Sequence, residues 1–160
     1  MNNAQSALKM AAGFFLVIAL ITIAVVMFIS AQEATKSAQE NFSDIQTELS
    51  QTAFNIYNGT TVSGSQVTNA IRKYKGKGQF GVQVKTGKNP AGSWYSQVVN
   101  ITGSEGTTGY GSITGEAATG TLAKAADESS NDYINPSGKF DASVVVDNSG
   151  VVRGLIFKQK

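Results

Sequence analysis

The stretch from Ala11 to Ile29 contains no charge, and its only polar member is Thr22. At about 1.5 Å per residue, a helix of this length reaches roughly 28 Å, close to the hydrocarbon thickness of a bilayer. A cleaved secretory signal would carry a shorter apolar region and a small-x-small site, and Phe28-Ile29-Ser30-Ala31-Gln32 is a poor one. The expectation is therefore a retained membrane span. Lys9 precedes the span, while Glu33, Glu40, Asp44 and Glu48 follow it against a single Lys36. The positive-inside bias then places the short N-terminus in the cytoplasm and the remainder outside the cell.

No second segment is long and apolar enough to span, so one anchor and one modest outer domain are expected. The chain has no cysteine and no histidine. Disulfides and thiolate metal sites are excluded, and the commonest nucleophile and general base are missing together, which argues against an enzyme. Asp127, Glu128, Asn131 and Asp132 bring oxygen ligands close together in sequence, but without the spacing and internal glycine of a calcium loop. No metal, catalytic residue or cofactor is expected. The net charge of +2 points to no partner, but its distribution is uneven. Between Glu48 and Glu105 there is no acid, whereas Arg72, Lys73, Lys75, Lys77, Lys85 and Lys88 fall in that window. Three readings stay open for this basic segment: a solvated face, a subunit contact against the acidic flank of a neighbouring copy, or a track for a polyanion such as nucleic acid or teichoic acid.

Beyond the span, Phe42, Ile45, Leu49, Ala53 and Ile56 recur at steps of three and four, and no proline or glycine interrupts residues 14 to 57. One long helix from about Ala4 to Tyr57 follows, ending at the stop signal Asn58-Gly59, with this stripe expected to pack on a sheet. A Ser or Thr cap followed by Val67, Ala70, Ile71 and Tyr74 predicts a short helix over 64–74. Alternation in Phe80, Val82 and Val84 predicts a strand, residues 94–102 a second, and residues 121–130 at most two helical turns. Two β-branched runs flank Asp147-Asn148-Ser149-Gly150, the chemistry of a tight hairpin. The expected fold class is α+β: a long N-terminal helix packed on an antiparallel sheet of about four strands, with one short extra helix. The expected division is 1–30 for the cytoplasmic tip and span, 31–59 for the amphipathic continuation, and 60–160 for the outer domain.

This layout resembles that of type IV pilins and pseudopilins, and the resemblance covers the whole chain. Lys9-Met10-Ala11-Ala12-Gly13 followed by Phe14-Phe15-Leu16 is similar to that family's leader, a short basic peptide ending in glycine before an aromatic residue and an apolar helix. The family's usual glutamate, a few residues past the cut, would fall at Ile18, so the chain resembles a divergent member, and its lack of cysteine suits a Gram-positive surface. The resemblance implies leader cleavage between Gly13 and Phe14. It also implies a subunit of a surface filament, whose partners would be the membrane, further copies of itself and other pilin-like subunits. Assembly would run through Gly13, Phe14, Phe15, Ala19, Ala24 and Phe28, the small residues of the span allowing close helix approach. The alternatives are a single-pass anchored module that binds a polyanion or protein outside the cell, or a membrane protein of a virus particle or secretion apparatus.

Overall fold

The computed structural model describes residues 2–160, and the side chains of all of these except Gln46 and Ser50. The chain divides into two bodies, Met1–Ile45 and Gln46–Lys160. Helix α1, Asn2–Asn55, supplies the whole described part of the first and opens the second. It is long and apolar enough to cross a membrane. Within the apolar stretch the Thr22 hydroxyl donates to the Ile18 carbonyl one turn back at 2.8 Å, so the single polar side chain needs no outside partner. The helix stops as its sequence predicts. Tyr57 and Asn58 donate from their backbone N–H groups to Phe54 and Asn55 in a tightening turn, and Gly59 follows at φ +68°, a conformation that glycine adopts without strain.

In the second body, strand β1 (Thr60–Ser63) leads into helix α2 (Gly64–Tyr74) through a reciprocal cap, in which Ser63 and Gln66 each bind the other's backbone N–H. Strands β2 (Gly81–Lys85) and β3 (Ser93–Tyr95), helix α3 (Leu122–Ala126), and strands β4 (Lys139–Val146) and β5 (Val152–Gln159) complete it. The order across the sheet is β1-β4-β5-β2-β3. The expected architecture of a long helix on a small sheet with a short extra helix is present, with five strands and with one parallel pair, β2 on β5. The other three pairings are antiparallel. The strand expected over 94–102 stops at Tyr95, because Ser96 turns to φ +77°, and only Val99 returns to pair, with Ile113.

Alternation along the strands divides the core between the two faces. On one face Val82, Val84, Leu155 and Phe157 meet Val67, Ile71 and Tyr74 of α2, with Phe54 from the end of α1. Phe140, Leu155, Phe157 and Val67 are fully buried, each such side chain stabilising by about 1.5 to 3 kcal/mol. On the other face Trp94, Val145 and Ile156 are covered by the chain that follows β3, residues 96–121, through Val99, Ile101, Tyr110, Ile113 and Ala118. That segment lies very close to the sheet. A Cβ on Gly81 would sit 2.4 Å from the Gln97 carbonyl oxygen, so only glycine admits the crossing there.

Candidate assembly surface

In the first body the helix is exposed along its length. Phe14, Phe15 and Phe28 stand out with the aliphatic side chains between Leu8 and Ile29, and Ala19 and Ala24 are exposed among them. Nothing lies within 4 Å of where a Cβ on Gly13 would point, so that position is open to a close neighbour. Beyond the apolar stretch, Glu33, Glu40 and Asp44 are all exposed. At about 100° per residue they fall within a ~40° arc of the helix surface. Lys36 reaches Glu40 at 3.8 Å, an exposed i,i+4 pair contributing a few tenths of a kcal/mol.

Where α1 enters the second body, it turns a different side to the sheet from the one its apolar pattern predicts. Phe54 is 2% exposed, the Gln51 amide donates to the Gly150 carbonyl at 3.0 Å, and the Thr47 methyl lies against Gly150. These three residues share a face at spacings of four and three. The expected packing stripe does not. Leu49 is 65% and Ile56 67% exposed, and Ala53 is exposed as well. Leu49 lies about 140° round the helix from Phe54, so one rotation cannot bury both. Leu49, Ala53 and Ile56 therefore do not form the helix-to-sheet contact expected of them, while Phe42 and Ile45, of the same stripe, belong to the first body and are exposed along it. The cause is the aromatic pocket that receives Phe54. Its ring lies 5.2 Å from that of Tyr74 and 5.0 Å from that of Phe80, and the latter two are 4.9 Å apart, separations at which aromatic pairs attract beyond their buried area.

The basic residues form two groups at opposite ends of β2. Arg72 and Lys73 close α2, and Lys75 and Lys77 follow in the turn before the strand. Lys85 ends β2, while Lys88 lies in the next loop and donates to the Glu128 carbonyl at 3.3 Å. In the first group the Lys77 ammonium stands over all three aromatic rings, 5.2 to 5.7 Å from their centres, and that of Lys73 stands 5.3 Å from the Tyr74 ring. Burial raises the Tyr74 hydroxyl above its usual pKa. Among the described residues, none of the six basic side chains makes an ion pair.

Comparison with known proteins adds no identity. No protein-family model, curated protein or solved structure matches the chain significantly.

One further concavity escaped sequence reasoning. A cleft of about 400 Å³ lies between the β4–β5 turn and the loop bearing Tyr110, lined also by Gln79, Ser112 and Arg153. Arg153 donates from Nε to Asp147 and from a terminal nitrogen to Gln79, each at 2.6 Å. Burial works against the Asp147 charge, but hydrogen bonds from Arg153 and from the Val151 and Ser149 backbone outweigh it and hold the carboxyl below its usual range. No short pattern marks this site, because Gln79, Tyr110 and Arg153 come from three distant segments. The oxygen-rich segment near Asp127 does not converge on one point. Asp132 accepts from Ser93 and Asn89, Asp127 from Ser129, and Glu128 from Tyr133.

Proposed function

We propose that the chain is a single-pass, non-catalytic surface protein that assembles with copies of itself through helix α1, as a subunit of a pilus-like filament. The outer domain would lie outside the cell and the short N-terminus in the cytoplasm. The observation that carries this reading is that Leu49, Ala53 and Ile56 remain exposed although the sheet is beside them. An anchor alone calls for apolar surface only inside the membrane. This stripe continues where the outer domain begins, and its spacing suits the flank of another helix.

The test uses the full chain in membranes. Ala19→Trp and Ala24→Trp should each abolish polymers in negative-stain images and lower cross-linking between copies, while the melting of the outer domain, whose core is built from residues after Gln46, stays unchanged. Equal polymer in the parent and in both variants overturns the reading. A second reading, an anchored binding module, is favoured by the cleft at Arg153 and takes first place if the parent stays monomeric at high density.

A further inference from the structure

We propose that the basic end of α2, formed by Arg72, Lys73, Lys75 and Lys77, docks on the acidic face of helix α1 in a second copy, Glu33, Glu40 and Asp44. This rests on the reading of the chain as a self-associating subunit, and it names a second, electrostatic contact of that association.

Among the described residues, these cations have no carboxylate partner. No acid occurs in sequence from Glu48 to Glu105, and none of the four lysine and arginine heads lies within ion-pair distance of a carboxylate among the described residues. The helix macrodipole accounts for Arg72 and Lys73 in the last turn of α2, but its influence fades beyond that turn, where Lys75 and Lys77 stand. Two of these heads are also held in place. Lys73 and Lys77 stand 5.3 and 5.7 Å from the Tyr74 ring centre, which puts their ammoniums no more than about 11 Å apart. Cations ordered before contact lose less side-chain freedom on binding.

The acidic face is of an extent that falls within this bound. Along a helix Glu33 and Glu40 are separated by about 10 Å and Glu40 and Asp44 by about 6 Å, on one ~40° arc. Only Lys36 offsets the arc, through a single exposed pair with Glu40. The acids of the arc lie ~100 to 180° round the helix from Phe42 and Ile45, so docking there leaves the apolar stripe free for a helix neighbour. Each copy would thus be gripped on two sides by different neighbours, one contact apolar and one charged. Complementary charge of this kind fixes register and excludes wrong partners more than it adds affinity.

Energy transfer between fluorophore-labelled full-length copies in vesicles of neutral lipid reads the contact directly. The parent's association should weaken about tenfold between 50 and 500 mM salt, as a contact between exposed charges must. Lys73→Glu with Lys75→Glu should weaken it comparably at low salt, with Lys77 kept to cap the rings. Glu40→Lys with Asp44→Lys should do the same, and mixing the two reversed proteins should restore association. The proposal falls if either reversed pair associates as the parent does, or if the mixture fails to recover. It also falls if the lysine reversals act only in vesicles containing anionic lipid, which would assign the cluster to a membrane surface. A parent signal insensitive to salt but lost in Ala19→Trp sinks this contact and leaves the helix reading standing, whereas no parent signal in any condition sinks both.

Discussion

The Lys77 ammonium lies 5.2 Å from the centre of the Phe54 ring, and so the turn after α2 caps the residue that fastens the end of α1 to its domain. Phe54→Ala should destabilise the outer domain by about 3 to 5 kcal/mol, since it empties a pocket walled by Tyr74 and Phe80. Lys77→Met removes the charge and keeps most of the stem, at a cost of about 1 kcal/mol. Thermal unfolding followed by near-ultraviolet circular dichroism measures both, and equal effects would count against the pocket as anchor.

Leu49→Asp offers the converse. Its side chain is exposed, so the melting of the isolated subunit should move by no more than ~0.5 kcal/mol, while cross-linking between copies falls. A large loss of stability would show that Leu49 has a partner within its own chain.

The Asp147 carboxyl is held below its usual pKa, so its contribution to stability is present above the unfolded value of about 3.9 and is lost as the pH falls below that through the folded value. Asp147→Asn should lower stability at pH 7 and flatten the fall of stability on acidification. Denaturant titrations at pH 7 and pH 3 separate the two cases, and parallel pH profiles for parent and variant would refute the assignment.

Burial and the nearby Asp132 charge push the Tyr95 hydroxyl up to about 12, and its oxygen is buried without a hydrogen-bond partner. The sign is opposite to that of Asp147. With the folded value raised, the domain is most stable below the ordinary tyrosine pKa of about 10 and loses stability as the pH rises from there towards the folded value. Tyr95→Phe should be neutral to about 1 kcal/mol stabilising at pH 7, and it should reduce the alkaline loss. Ultraviolet difference titration should show one phenol fewer ionising late. A variant destabilised by several kcal/mol would mean that the hydroxyl has a partner.

Local signals carried much of this architecture. The span, the cap at Ser63, the β2 alternation and the turn at Asp147 each stand within a dozen residues and were legible for that reason. Strand β1 was hidden, because four residues, Thr-Thr-Val-Ser, gain their meaning only from β4 some eighty positions later. The parallel pairing of β2 with β5 is equally non-local. The apolar stripe was read correctly as a pattern but assigned to the wrong surface, since periodicity reports that a face is apolar and not what covers it. Phe54 breaks the period, and its burial could be foreseen only by knowing that Tyr74 and Phe80 converge. In the candidate surface, the six basic residues were visible as a charge run, yet β2 separates them into two groups, which no count of charges reveals.

The place of β5 in the sheet sets an order of events. It lies between β4 and β2, so the pair β1–β4 and the pair β2–β3 have no strand in common until it arrives. Every other strand leaves the ribosome before it. A chain emerging from its N-terminus therefore has helix α1 complete while the strands of the sheet are still waiting for their central member. Closure of the sheet waits for Val152–Gln159, so the two halves of the core join only when the last strand has been made.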